Sequence, residues 1–219
     1  MQVSSITALL AQHSIGFTSI TNSHTPLSNY AMSYSAIDAS TLDEFGPMLI
    51  KRGYDWISMD KLDTVDTEAN KESDNQFVNK ALICEAWMEQ HDIGVREGHD
   101  RLLNSDCPPY EILKGYFDDL EVFMKEHAYR GCPFAQTARA IRGQGEKGIE
   151  QKVQEHKSEV RRFFQELCKS ATFEPNVLAE ALYLIYTGAM SESNDMTAIG
   201  PIETGRSAAL ALFERFLLA

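Results

Sequence analysis

Apolar residues recur at helical spacing along nearly the whole chain beyond residue 40, and no segment shows the strict alternation expected of a half-buried strand. The clearest case is residues 110–127, which follow a Pro-Pro break. Seven large apolar side chains share one helical face there: Ile112, Leu113, Tyr116, Phe117, Leu120, Phe123 and Met124. Similar patterns predict further helices over 41–52, 81–91, 149–170, 175–190 and 200–218. We therefore expect an all-α protein.

Composition limits the class of protein. With 43% hydrophobic residues among 219, the chain can bury a substantial core. Its apolar runs are far shorter than the roughly 20 residues that a transmembrane helix needs. Four scattered cysteines without CxxC spacing argue against a zinc site and favour a reduced, cytoplasmic protein. The N-terminus lacks the basic region of a secretory signal. The net charge of −12 repels phosphate backbones unless basic residues gather on one face.

The first 40 residues differ from the rest of the chain. They contain a single charged residue, Asp38, among many serines and threonines. We interpret 1–40 as a polar N-terminal extension, and the alternative is an arm that covers a partner. The next segment, 41–52, is amphipathic, although Gly46-Pro47 is expected to delay or break its helix.

A specific order of features follows between residues 48 and 82. A helix ends at Gly53, a Tyr54 turn leads to Ser58 as the cap of a second helix, and Phe77–Lys80 (FVNK) precede another helix. This order resembles the DNA-binding end of the TetR-type transcriptional regulators. Four later segments resemble, in order, the helices of their ligand domain: 131–141, 156–171, 178–190 and 206–218.

The resemblance implies a small N-terminal helix-turn-helix domain, 41–91, followed by a larger helical ligand-binding and dimerisation domain, 92–219. It implies a homodimer that binds operator DNA and responds to an unknown small molecule. The residues that it places at the DNA are Ser58, Lys61, Lys71, Asn75 and Lys80. Ser58 could instead be only a helix cap, and Lys80 only a solvated side chain.

The DNA-binding pattern is imperfect. The usual turn glycine is Thr67, a buried valine is Glu68, a leucine is Ser73, and the phosphate-contacting tyrosine is Asp74. Residues 41–80 carry five basic side chains against nine acidic ones, although DNA recognition favours a positive surface. The alternative function is therefore a TetR-like protein that has lost DNA binding and acts as a ligand-binding or protein-interaction module.

The resemblance also implies a ligand pocket and a four-helix dimer interface. Aromatic residues are the candidate pocket lining, although most such side chains are simply core: Trp87, Tyr116, Phe117, Phe123, Phe134 and Phe163. The last two helices supply the candidate interface: Leu182, Tyr183, Tyr186, Ala209, Leu212 and Phe216.

Catalytic and metal chemistry is not expected. No nucleophile–base pair or paired carboxylates stand out, so we predict no enzyme activity and no cofactor. His91 and His99, with Glu97 between them, lack the spacing of metal ligands. We interpret both histidines as surface residues near a helix end.

Overall fold

The computed structural model describes residues 37, 39–58, 80–169, 171–172 and 174–217. Within these residues it contains seven α-helices, one 3-10 turn at Tyr54–Trp56 and no strand. The α-helices are α1 (Ala39–Arg52), α2 (Lys80–Leu103), α3 (Pro109–Glu126), α4 (Pro133–Ala140), α5 (Lys147–Lys169), α6 (Pro175–Met196) and α7 (Gly200–Leu217). The prediction of an all-α protein is confirmed.

The described residues form two compact units. The first unit comprises 37, 39–58, 80–92 and 132–154, and the second comprises 93–131, 155–169, 171–172 and 174–217. The first unit thus includes α4 and the start of α5 beside the segments nearest the N-terminus. The domain boundaries at 40/41 and 91/92 remain predictions, and the second of them lies inside the continuous helix α2.

The first unit has its own hydrophobic core. Side chains of α1, the 3-10 turn, the beginning of α2 and α4 are buried in one cluster, with Phe45, Ile57, Met88 and Phe134 at its centre. Gly46 lies against the indole of Trp87, and a Cβ atom added to Gly46 would be 2.1 Å from the Trp87 Nε1. Only glycine allows this close approach.

The second unit is a helical bundle in which α7 packs against both α6 and α3. Small residues let α6 and α7 come close, because a Cβ atom added to Gly205 would be 2.6 Å from the Cβ of Ala189. Helix α6 ends at Met196, and the next residue, Thr197, has a left-handed φ of 52°. The Ala198 amide donates to the Ser193 carbonyl at 3.1 Å and the Thr197 amide to Asn194 at 3.3 Å. This pair of bonds is a Schellman motif with threonine where glycine is usual.

Helix starts follow the sequence closely. Prolines occupy the first turns of α3, α4 and α6, where an N–H group has no helical partner to lose. Helix α3 then buries the apolar face predicted for 110–127, including Tyr116, Phe117 and Phe123. Each helix among the described residues is too short or too polar to cross the apolar part of a bilayer.

Two helix predictions that rested on a glycine or a proline were wrong. Helix α1 runs through Gly46-Pro47 without a break, because Leu42, Phe45 and Leu49 bury one continuous face. Helix α2 continues through Gly94 to Leu103 instead of ending near residue 91. The longer helix turns Val95 and Leu102 inward, and packing of these side chains outweighs the low helix propensity of one glycine.

Candidate functional site

The predicted DNA-contacting residues are described only in part. Lys61, Lys71 and Asn75 lie outside the described residues. Ser58 is half-buried and directly follows Ile57, which is extended and almost fully buried. Lys80 is the first residue of α2 and is half-buried as well. The two described positions therefore lie just before and just after the segment 59–79.

Lys80 contacts the turn that precedes that segment. Its ammonium lies 4.0 Å from the centroid of the Tyr54 ring and donates a hydrogen bond to the Tyr54 carbonyl at 3.3 Å. The same carbonyl accepts the Ile57 amide at 3.1 Å, which closes the 3-10 turn. Tyr54 is buried, and Gly53 with a φ of 85° makes the sharp bend before it.

The described surface near this turn carries charges of both signs. Lys51 and Arg52 are exposed in the last turn of α1, where cations also complement the helix dipole. The Arg52 guanidinium lies 5.1 Å from the ring centroid of Trp56, whose side chain is 42% exposed. Asp55 is exposed beside them. Sequence reasoning gave Trp56 no role, because a single aromatic residue in a turn has no distinctive pattern.

The six predicted pocket residues are all buried but are divided between the two units. Trp87 and Phe134 lie in the first unit with ring centroids 6.2 Å apart, and His91 stacks on Trp87 at 4.7 Å. The other four residues are in the second unit: Tyr116, Phe117, Phe123 and Phe163. Their use as a ligand pocket stays a prediction.

An aromatic cluster fills the core of the second unit. The rings of Tyr116 and Phe163 stack at 4.6 Å, and the imidazole of His99 stacks on Phe163 at 4.4 Å. Phe164 and Tyr186 meet Tyr116 at 5.5 and 5.2 Å. The cluster contains two of the predicted pocket residues, and stacked rings of this kind stabilise a core beyond simple burial.

A polar network crosses this cluster. The Nδ1 of His99 is 2.8 Å from a carboxylate oxygen of Glu159, and its Nε2 is 3.2 Å from the Tyr116 hydroxyl. Arg162 donates from Nε to Glu159 and from a terminal nitrogen to Glu159 and Asp100, each at 2.8 Å. The network therefore links α2, α3 and α5 through buried hydrogen bonds.

The protonation states follow from burial and from these partners. Burial lowers the pKa of His99, against the opposing pull of Glu159, so the imidazole is neutral at neutral pH. Burial alone would raise the pKa of Glu159, but hydrogen bonds from His99 and Arg162 lower it to about 2. The carboxylate is thus an acceptor of the Nδ1–H of His99, and the Nε2 accepts the Tyr116 hydroxyl proton.

The prediction that both histidines lie on the surface was wrong. His99 is fully buried and His91 nearly so. The error follows from the predicted helix end: because α2 continues to Leu103, His99 lies on its inward face. Its partner Glu159 is 60 residues away, a distance over which sequence spacing gives no signal. Among the described residues, no three His, Cys, Asp or Glu side chains are grouped to hold a metal ion.

The predicted dimer residues are mostly part of the protomer's own core. Leu182, Tyr183, Tyr186 and Ala209 are buried within the chain, whereas Leu212 and Phe216 are half-buried. Small and apolar side chains that are exposed on α6 and α7 occupy other positions: Val177, Leu184, Gly188, Ala208 and Ala211. The interface itself stays a prediction.

Comparison with solved structures identifies the fold. The structure is similar to a TetR-family transcriptional regulator from Streptomyces coelicolor, with a TM-score of 0.63 and 16% identity, over 84% of this chain and 95% of that one. It is also similar to the regulatory protein TetR from Rhodobacter sphaeroides, with a TM-score of 0.59 and 18% identity, over 79% of this chain and 96% of that one. No protein-family profile and no curated protein matches the sequence.

Both similar proteins are named as regulators. The likeness extends over nearly the full length of each, although identity is low. This chain has the all-α fold of the TetR-family transcriptional regulators, as the order of its sequence features predicted.

Proposed function

We propose that the protein is a cytoplasmic TetR-type transcriptional regulator: a homodimer that binds operator DNA and is released by a small apolar ligand. The observation that carries the proposal is the fold, which it shares with two proteins named as regulators across 95% and 96% of their lengths. A shared fold alone does not define a function, so each part of the proposal needs support from particular residues.

The DNA-binding part is supported by basic side chains near the predicted helix-turn-helix. Lys51 and Arg52 are exposed on α1 and can attract phosphates, and Lys61 and Lys71 are further candidates. Phosphate contacts of this kind supply much of the affinity of a protein for DNA and make it depend on salt. The excess of acidic residues over 41–80 opposes binding, so we expect measurable affinity only at low to moderate salt.

The dimer is supported by the exposed face of α6 and α7. Leu184 and Val177 are more than 60% exposed, although large apolar side chains are usually covered. Gly188 on α6 and Ala208 and Ala211 on α7 are exposed as well, and such small residues would permit close approach of helices. A two-fold axis through this face would bring four helices together, two from each protomer.

Ligand release requires coupling between two sites. A small apolar molecule shifts DNA affinity only if it binds one arrangement of the DNA-reading segments better than another. The aromatic cluster around Tyr116 and Phe163 is the apolar environment that such a ligand would enter. Because these rings already stack on each other at 4.6 Å, we expect binding to require their separation.

A second candidate function is favoured by the charge of the predicted reading helix. Asp74 stands where the family pattern has a phosphate-contacting tyrosine, and Glu68 stands where it has a buried valine. A carboxylate beside a phosphate is repulsive. In this case the protein would keep the dimer and the ligand-binding core but act as a ligand-binding or protein-interaction module.

The two candidates are separated by incubating the purified protein with genomic DNA fragments, including its own upstream region, at low and at physiological salt. Retention of one specific fragment, with affinity that falls steeply as salt rises, supports the regulator. Absence of retention at low salt, from a protein shown to be a folded dimer, refutes DNA binding and supports the second candidate. Lys71→Ala and Lys61→Ala are the first variants to test on a retained fragment.

A further inference from the structure

Lys80 occupies a particular place in the chain. It is the first residue of α2, and it contacts Tyr54, which lies 26 residues earlier in the turn after α1. The contact therefore joins the turn that precedes the segment 59–79 to the first residue after it, and this segment contains the predicted DNA-contacting residues Lys61, Lys71 and Asn75. The TetR resemblance assigns Lys80 to a DNA phosphate instead.

The geometry gives the ammonium two partners within the protein. Its nitrogen lies 4.0 Å from the centroid of the Tyr54 ring and 3.3 Å from the Tyr54 carbonyl oxygen. An ammonium over an aromatic face is attracted by the electrons of the ring, and this attraction strengthens when water is partly excluded. Here the ring is buried and Lys80 is half-buried, so both partners act in a partly desolvated environment.

The Tyr54 carbonyl also stabilises the turn itself. It accepts the Ile57 amide at 3.1 Å, and the Trp56 amide donates to Gly53 at 3.3 Å. A second donor from Lys80 on the same carbonyl holds this turn against the start of α2. Moving the ammonium to a phosphate would remove that donor and uncover the ring.

We propose that Lys80 is a positioning residue and not a phosphate contact: by holding Tyr54, it fixes the turn that precedes the segment 59–79 relative to the start of α2, which follows that segment. The inference rests on the proposed DNA-binding function for its consequence, but the contact between Lys80 and Tyr54 exists without DNA. Lys80→Met removes the charge and keeps most of the aliphatic side chain. Lys80→Arg restores a cation that can lie over the ring.

The first measurement uses the full-length protein without DNA. Hydrogen exchange of the Trp56 and Ile57 amides should be roughly fivefold or more faster in Lys80→Met, because the turn opens more often. Lys80→Arg should restore slow exchange. Lys51→Met is the matched control, since Lys51 is exposed on α1, and it should leave exchange at these amides unchanged. Unchanged exchange in Lys80→Met overturns the proposal.

The second measurement uses a DNA fragment that the wild-type protein retains. Removing a phosphate contact reduces the slope of log affinity against log salt by about 0.9, whereas removing a positioning contact weakens binding and leaves the slope unchanged. A reduced slope in Lys80→Met overturns the proposal. If the wild-type protein binds no DNA, the regulatory function fails, and the exchange measurement still decides whether Lys80 holds the turn.

Discussion

Replacing Glu159 by glutamine tests whether an ionised carboxylate stabilises the second unit through its buried network. Glu159 is 7% exposed and accepts hydrogen bonds from His99 and Arg162. Glutamine has nearly the same shape but no charge. A glutamine carbonyl at the Oε1 position keeps the bonds from His99 and from the terminal nitrogen of Arg162 but carries no negative charge, and the glutamine amide group then faces the Nε–H of Arg162.

The magnitude follows from the pKa of the carboxyl. Each tenfold change in an acidity constant corresponds to about 1.4 kcal/mol. A pKa lowered from the ordinary 4.5 to about 2 therefore stabilises the fold by about 3 kcal/mol at neutral pH. Because the folded-state pKa is the lower one, this stabilisation is complete above pH 4.5 and is lost as the pH falls toward 2. His99 contributes a further loss of stability below pH 6.5. Burial lowers its pKa in the folded protein, so the imidazole of the unfolded chain binds a proton at a higher pH, and this favours unfolding as the pH falls.

The assay is urea-induced unfolding followed by circular dichroism at one protein concentration, at several pH values from neutral to acid. We expect Glu159→Gln to be about 2–3 kcal/mol less stable than wild type at neutral pH. The difference should shrink as the pH falls below 4.5. Glu166→Gln is the control, because Glu166 pairs with Lys169 on the exposed side of α5, and this substitution should cost less than about 0.5 kcal/mol. A difference that does not change with pH would refute an ionised network.

Three further changes probe other parts of the structure. Gly46→Ala should destabilise by about 1–3 kcal/mol in thermal unfolding, since its Cβ atom would be 2.1 Å from the Nε1 of Trp87. Thr197→Gly should stabilise by about 1 kcal/mol in urea unfolding, because it relieves a β-branched residue with a φ of 52°. Leu184→Glu should shift the protein from dimer to monomer in analytical ultracentrifugation, whereas Val122→Glu on α3 should leave it dimeric.

Controls and contrary outcomes differ for these three changes. Gly200→Ala meets no atom within 4 Å and should be close to neutral, so an equal loss in both glycine variants would refute the packing argument for Gly46. Glu192→Gly lies inside α6 and should destabilise by about 1 kcal/mol. If Glu192→Gly also increased the stability, the effect of Thr197→Gly could not be attributed to relief of the left-handed conformation at Thr197. If the Leu184→Glu variant remained dimeric, the exposed residues around Leu184 on α6 would be excluded as the dimer interface.

The fold was predictable largely because local sequence features mark many of its helices. Helix α3 begins at a proline and buries an unbroken apolar face, and both features are visible in the sequence. The continuation of α1 through Pro47 and of α2 through Gly94 was not visible. Both helices are maintained by packing against distant segments, which outweighs the local preference of one residue.

The candidate site was less predictable for the same physical reason. The resemblance identified Lys80 as important, but its contact with Tyr54 depends on two segments meeting across 26 residues. The His99–Glu159 pair spans 60 residues and arises from one helix face pointing inward. The dimer prediction selected apolar positions on α6 and α7 by their spacing, but spacing alone does not show that Leu182 is buried within the protomer whereas Leu184, two residues away, is exposed.

The placement of the tryptophans has a practical consequence. The chain has only two, Trp56 and Trp87, and both lie in the first unit, one exposed and one buried beside Gly46. Tryptophan fluorescence therefore reports on the first unit alone, whereas the helical circular dichroism signal averages over both units. If the two spectroscopic signals change at different urea concentrations, the units unfold separately, and two-state free energies cannot describe the whole chain. A water-soluble quencher would reach the exposed Trp56 before the buried Trp87. Quenching therefore distinguishes the fluorescence of the turn that carries Trp56 from that of the core.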